Sequence, residues 1–209
     1  RGCPFKCTYC FNHSFNKLFQ GKGKLIRKRS VENVIEELKE IKEECKPTRF
    51  QFLDDTFALD CNWVMEFCKR YKEEIGLPFI VQFRTNFVKD EVIKSIKDAG
   101  CITVMLGIEC GNERLRNEVL KRNTTDSQII EAAKVFQKYK MPVFAMNMVG
   151  LPDETLDDVF TTIKINAICK PSYAWASIFQ PYPRTELWEY SKQKGYFDGD
   201  IDSIPETYY

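Results

Sequence analysis

Val104-Met105-Leu106-Gly107-Ile108, within the run Ile102–Ile108, is apolar at odd and even positions alike. A strand with one wet face alternates polar and apolar residues, so a continuous run fits a strand covered on both sides. Four further short β-rich runs stand at Phe50–Leu53, Phe79–Phe83, Val143–Val149 and Tyr173–Phe179. Between them apolar residues recur at the three-and-four spacing of helices. Val31, Val34, Ile35, Leu38 and Ile41 form such a stripe over Val31–Glu44, with Ser30 placed as its N-cap. Asp60 is placed to cap a second helix carrying Trp63, Val64, Phe67 and Tyr71, and Asp90 a third that ends before Gly100. A short helix is expected over Glu113–Leu120, a longer one over Ser127–Tyr139, and two more over Leu156–Cys169 and Glu186–Lys194. Strand starts lie roughly 25 to 40 residues apart, the size of a βαβ unit. Strands alternating with helices predict an α/β fold with a parallel sheet. A full eight-unit barrel takes about 250 residues. This chain has 209, so a partial, TIM-like barrel is expected. A doubly wound open sheet is the alternative that pattern alone leaves standing.

Hydrophobic residues make up 44% and charged residues 29%, the balance of a folded globular chain. Thirty-one Lys and Arg against 30 Asp and Glu leave a formal charge of +1. That balance makes no electrostatic case for nucleic acid or an anionic membrane as the main partner. No apolar run approaches the roughly 20 residues of a membrane span. The sequence opens on Arg1-Gly2-Cys3-Pro4, with neither a signal peptide nor a starting Met, and reads as a fragment whose upstream part is missing. Nine cysteines, an odd count, do not suggest a complete disulfide framework. Cys45, Cys61, Cys68, Cys101, Cys110 and Cys169 are scattered, as buried thiols of a reducing compartment are. A cytoplasmic protein is expected.

Cys3, Cys7 and Cys10 need a separate explanation. They stand in Arg1-Gly2-Cys3-Pro4-Phe5-Lys6-Cys7-Thr8-Tyr9-Cys10, a C-x3-C-x2-C spacing close enough to serve one metal centre. Structural zinc takes four ligands, most often as two separated pairs. Here the local set stops at three, and recruiting His13 would make an unusually tight loop. A 4Fe-4S cube normally takes four thiolates. With three, one iron is left open to a small molecule, which turns an electron carrier into a catalyst. A non-catalytic zinc or electron-transfer module remains the competing class.

The C-x3-C-x-aromatic-C pattern, with Tyr9 before the last Cys, resembles the signature of radical S-adenosylmethionine (radical SAM) enzymes. The resemblance implies a 4Fe-4S cluster on Cys3, Cys7 and Cys10 whose open iron binds S-adenosylmethionine. Reductive cleavage then yields methionine and a 5′-deoxyadenosyl radical, which abstracts hydrogen from a substrate. Four further segments match in order, each at a strand end, where βα folds place their sites. In Phe50-Gln51-Phe52-Leu53-Asp54-Asp55-Thr56-Phe57 the family often has Gly-Gly-Glu, a contact for the methionine amino group. Asp54-Asp55-Thr56-Phe57 resembles instead the Asp-Asp-x-Phe variant of the branch that often carries an upstream cobalamin-binding domain. Asp54 or Asp55 would meet the ammonium; a turn or N-cap pair is the plainer reading. In Gln82-Phe83-Arg84-Thr85-Asn86, Arg84 would pair with a carboxylate, or be a solvated strand-end charge. In Gly107-Ile108-Glu109-Cys110-Gly111, Glu109 would accept the ribose hydroxyls, and Cys110 replaces the usual Ser as a small substitute or a thiol of its own. Asn147-Met148-Val149-Gly150-Leu151-Pro152-Asp153-Glu154-Thr155 resembles Gly-x-Ile-x-Gly-Leu-Pro-x-Glu-Thr, with Asn147 in place of the first Gly. Backbone of Met148 and Val149 would face the adenine, with Gly150 allowing close approach. Asp153 or Thr155 would cap the next helix, and Glu154 is structural or functional.

The resemblance covers residues 1–197 as a core of six βα units, its first strand missing from this stretch, with 198–209 a tail toward a further region. It implies a small-molecule substrate and an electron donor such as a flavodoxin or ferredoxin. Its branch includes methyltransferases and ring-forming enzymes of pigment biosynthesis, with any cobalamin bound upstream. Relatives that add methylthio groups to RNA or protein are the nearest enzyme alternative. Phe11, Phe15, Phe19, Trp175, Phe179 and Tyr182 could line a substrate chamber or be core. Lys22, Lys24, Arg27, Lys28 and Arg29 read as a solvated linker or an anion site.

Overall fold

The computed structural model describes residues 2–204; Arg1 and residues 205–209 of the expected tail lie outside the described residues. Five strands are present: β1 (Phe50–Gln51), β2 (Phe79–Phe83), β3 (Cys101–Glu109), β4 (Val143–Val149) and β5 (Tyr173–Ile178). The helices are α1 (Phe11–Leu18), α2 (Val31–Cys45), α3 (Cys61–Glu74), α4 (Asp90–Asp98), α5 (Asp126–Lys138), α6 (Leu156–Cys169) and α7 (Glu186–Gln193). Every strand pair is parallel and the spatial order is β1-β2-β3-β4-β5.

That order decides between the two architectures the sequence leaves open. Each crossover steps in the same direction, and right-handed crossovers that never reverse put all their helices on one face. Consecutive helices from α2 to α6 do pack on one another in a single layer. A doubly wound sheet would divide them between two faces. Alternate strand residues follow: Phe79, Val81 and Phe83 of β2, and Val104, Leu106 and Ile108 of β3, are buried against the helices. Their neighbours Ile80, Gln82, Met105, Phe144 and Met146 are half-buried on the opposite face.

Local chemistry sets the helix ends. Ser30 accepts the Asn33 N–H at 3.2 Å, and Asp60 accepts that of Trp63 at 3.0 Å. Thr125 with Gln128, and Thr155 with Asp158, close reciprocal capping boxes. Asp90 does not cap α4. The N-cap is Lys89, and Asp90 is the first helical residue, its carboxylate taken by Lys138 and Tyr139 of α5. The helix expected over Glu113–Leu120 is instead a wide π-helical turn at Leu115–Val119, closed by Leu120 N–H to Leu115 O at 2.9 Å. Its cause is Arg116, which is fully buried. The guanidinium donates to Thr124 O at 2.8 Å and Cys110 O at 2.7 Å, and also binds Asp126. Helix α1 was not among the expected helices, although Phe11, Phe15 and Phe19 recur every four residues; they form an exposed ladder of rings 5.4 and 4.5 Å apart. Residues 198–204 of the expected tail include one short turn, Ile201–Ser203.

Candidate active site

The three cysteines lie on a loop laid across the C-terminal ends of the strands. Five hydrogen bonds tether it. Thr8 donates its N–H to Leu120 O at 3.2 Å and its hydroxyl to Val119 O at 2.6 Å. Leu187 of α7 donates to Thr8 O at 2.9 Å. Asn16 of α1 donates to Cys3 O at 2.8 Å. The Gly2 N–H donates to Asp55, just past β1, at 3.1 Å. Cys3 and Cys7 are buried and Cys10 is half-buried; all nine cysteines are free. Burial pushes the Cys3 and Cys10 thiols up, and neighbouring Cys7 adds to the effect. A bound cation reverses that by stabilising the thiolate.

Glu109 ends β3 in an unusual conformation. Pairing slips between Gly107 and Glu109, a bulge that re-aims the side chain. The Cys110 N–H then reaches Ile108 O at 3.0 Å, making Glu109 the centre of a three-residue turn with φ +71°. Backbone held there costs about 1–3 kcal/mol and persists where the surroundings over-determine it. Gly107 supplies the room. A Cβ at that position would meet Glu109 Oε1 inside contact distance and Arg122 Nη2 at 3.1 Å.

Arg122 was invisible in the sequence and organises the site. Its Nη1 donates to Glu109 Oε1 at 3.2 Å and to Tyr9 Oη; its Nη2 donates to Gly107 O at 2.7 Å. Tyr9 Oη in turn donates to Glu109 Oε1 at 3.2 Å. Burial pushes the Tyr9 phenol well above the usual tyrosine range, against the pull of Arg122, so it stays a neutral donor. Burial disfavours the Arg122 charge, while the Glu109 carboxylate and the hydrogen bond to Tyr9 favour it and hold the guanidinium ionised. In sequence Lys121-Arg122-Asn123 looks like a solvated basic turn. Only the fold turns Arg122 inward, between two residues with φ of +52°.

The other expected site residues divide. Arg84 is neither solvated nor turned outward: it is 6% exposed, with Nη1 donating to Cys7 Sγ at 3.1 Å and Nη2 to Arg122 O at 2.6 Å. Cys7, Arg84, Arg122, Glu109 and Tyr9 therefore form one connected set. Asp55 is engaged with Gly2 and Asn12, whereas Asp54 is exposed and makes no hydrogen bond or ion pair among the described residues. Met148 and Tyr9 pack on the same buried group of Cys110, Leu115, Leu120, Leu151 and Leu187. Val149 closes β4, its carbonyl accepting from Phe179 at 2.8 Å, and Gly150 follows with φ +76°. Gly150 lines a separate cleft of about 330 Å³ with Ile178, Phe179 and Tyr196. Asn147 points to the helix side, donating to Trp175 O at 3.1 Å and accepting from Asn166 at 2.9 Å. Glu154 accepts the N–H groups of Gly150 at 2.6 Å and Leu151 at 3.1 Å, so it braces the turn. Cys110 is fully buried and burial raises its thiol to about 11, which suits packing and not nucleophilic attack. Lys28 pairs with Asp60 and Arg29 with Glu37, so these members of the basic cluster serve as linker ties.

Among the described residues no three His, Cys, Asp or Glu side chains are arranged to hold a single metal ion. A 4Fe-4S cube makes no such demand, because each thiolate binds its own iron. Arg84 and Arg122 each keep a buried Nε with no partner. Unpaired cationic donors beside clustered thiols suit an anionic group, so the donor set fits a cluster. Also among the described residues, no helix is long and apolar enough to cross a membrane.

Comparison with known proteins agrees with this arrangement. An uncharacterized methyltransferase of Pyrococcus horikoshii is 37% identical over 193 residues, covering 91% of this chain and 40% of that protein. An anaerobic magnesium-protoporphyrin IX monomethyl ester cyclase of Cereibacter sphaeroides is 27% identical over 195 residues, covering 90% of this chain and 30% of the cyclase. The chain thus spans less than half the length of these relatives. In fold it matches the radical S-adenosylmethionine methyltransferase TsrM of Kitasatospora setae, solved with cobalamin and a 4Fe-4S cluster. The TM-score is 0.76 at 14% identity, over 92% of this chain and 38% of that one. The five-stranded sheet is accordingly a curled half-barrel of that fold. The sequence profile of the Radical SAM superfamily matches residues 1–165, and the chain belongs to that superfamily.

Proposed function

We propose that this chain is the core of a radical SAM enzyme in which Cys3, Cys7 and Cys10 hold a 4Fe-4S cluster. The observation that carries the reading is the continuous set joining the cysteine loop to the ribose-type carboxylate, Cys7–Arg84–Arg122–Glu109–Tyr9. When bound, the cluster supplies the electron that cleaves S-adenosylmethionine to a 5′-deoxyadenosyl radical for hydrogen abstraction. The protein's own residues bind and orient. Glu109 keeps Oε2 for the ribose hydroxyls while Oε1 is fixed by Tyr9 and Arg122. Asp54 is the acidic side chain left free for the methionine ammonium, since Asp55 is committed to the loop. The backbone of Met148 and Val149, with Gly150, offers the adenine edge. The half-buried Phe144, Met146 and Trp175 on the open face of the sheet provide an apolar surface for a small-molecule substrate.

The relatives named above favour methylation or ring formation as the overall reaction, with cobalamin, where used, bound outside residues 1–197. Residues 198–209 would lead toward a further region. A flavodoxin or ferredoxin in the cytoplasm would supply the electron. The test is anaerobic cluster reconstitution, followed by the paramagnetic spectrum of the reduced protein with and without S-adenosylmethionine and an assay for 5′-deoxyadenosine. A spectral change with 5′-deoxyadenosine formation is expected. A colourless protein holding one tight zinc per chain would overturn the reading.

A further inference from the structure

Arg84 occupies a position for which the solvated-charge reading does not account. Its guanidinium is held on both edges and one face: Nη1 on Cys7 Sγ at 3.1 Å, Nη2 on Arg122 O at 2.6 Å, and the plane over the Phe5 ring at 3.8 Å from its centroid. Phe5 packs edge-on against Phe87 at 5.8 Å, one turn beyond Arg84 itself, which locks the stack to the end of β2. Phe5 and Cys7 both belong to the cysteine loop. Among the described residues no carboxylate pairs with Arg84, and its Nε is buried without a partner. A buried guanidinium with no counter-ion is expensive, so the site is built for an anion that the side chains alone do not provide. The nearest candidate is the sulfur it already touches, carried as thiolate in a cluster.

We propose that Arg84 is a positioning residue that acts through Cys7 to raise the potential at which the cluster accepts its electron. The inference rests on the radical SAM reading above. In that step a low-potential external donor passes one electron to the cluster, which gains one negative charge; no bond is made or broken. A cationic hydrogen bond to a ligating sulfur stabilises the more negative state, one of the main ways a protein sets such potentials. Lys at the same place would keep the charge and lose the two-edged, stacked hold.

The experiment compares reconstituted wild type with Arg84→Lys, Arg84→Gln and Arg84→Met. It reads iron and sulfide content, the midpoint from an anaerobic redox titration followed by paramagnetic resonance, and S-adenosylmethionine affinity by equilibrium dialysis. Arg84→Met and Arg84→Gln are expected to hold a cluster whose reduced-to-oxidised ratio at a given potential falls about tenfold, or about 59 mV for one electron. Arg84→Lys should recover part of that shift. An unmoved midpoint in cluster-loaded variants overturns the inference. So does a collapse of S-adenosylmethionine affinity at constant potential, which would make Arg84 a ligand of the bound molecule. If Arg84→Met cannot assemble a cluster, Arg84→Gln and Arg84→Lys decide the matter, and wild-type potentials in both reject it. Failure of wild type itself to take up a cluster is a different result, rejecting the radical SAM reading beneath it.

Discussion

Gly107→Ala reads both folding and binding at this site. The added methyl would stand 3.4 Å from Glu109 Cδ, 3.1 Å from Arg122 Nη2, and closer still to Glu109 Oε1. Its backbone is an ordinary strand, so no φ penalty arises. The colliding atom is the carboxylate oxygen that Tyr9 and Arg122 hold, so relieving the clash means pulling it away from those partners. The usual overpacking cost of about 1–3 kcal/mol therefore applies as well, and the unfolding measurement reads it. What is lost is the placement of the carboxylate. One charge-assisted hydrogen bond to a ribose hydroxyl is worth about 1.5–3 kcal/mol. Losing it weakens S-adenosylmethionine binding about ten- to a hundredfold. Equilibrium dialysis of labelled S-adenosylmethionine against reconstituted wild type and Gly107→Ala, with thermal unfolding in parallel, measures both quantities. Glu109→Ala should show a similar loss, and the double variant no further one. Wild-type affinity in a folded Gly107→Ala protein would refute the assignment of Glu109 to the binding site.

Gly111→Ala is the opposite case: its Cβ would run into the Thr161 carbonyl and the Thr162 backbone of α6, which cannot swing aside. A stability loss of about 2 kcal/mol or more is expected in chemical denaturation, and an unchanged midpoint would contradict the close approach. Arg116→Met strips the donors from Cys110 O and Thr124 O, each orphaned at about 1–3 kcal/mol, so unfolding should come about 5–15 °C lower. Burial pushes the Glu154 carboxyl above the usual carboxylate range. A raised folded value means that its contribution is fully present below the unfolded value and is lost as pH rises through the folded one. The stability of wild type relative to Glu154→Gln should accordingly fall as pH rises through and above the ordinary carboxylate range, and a constant difference would remove Glu154 from that role.

Much of this was legible from residue order. Short apolar and β-rich runs placed the five strands, and three-and-four spacing placed six of the seven main helices, because burial imposes both patterns whatever the neighbours are. Ser30 and Asp60 announced their caps for the same local reason. The cysteine spacing and Gly107-x-Glu109 could be read because they lie within one turn of chain. Asp90 misled because a first-turn acid and a capping acid look alike in sequence; which it becomes depends on Lys138 and Tyr139, far along the chain.

Tertiary structure decided what depends on distant partners. Strand order chose the half-barrel over a doubly wound sheet, since crossover direction leaves no mark on the residues within a strand. Arg116 and Arg122 look like surface charges in sequence, and Arg84 reads equally as one or as a site residue, yet all three are buried and held by backbone carbonyls of other segments together with Cys7, Asp126 and Glu109. A guanidinium carries no periodic signal, and its partners are carbonyls that every residue possesses. The sequence alone therefore determined the elements and the cysteine set, while only folding brought the cations to the sulfurs and to Glu109.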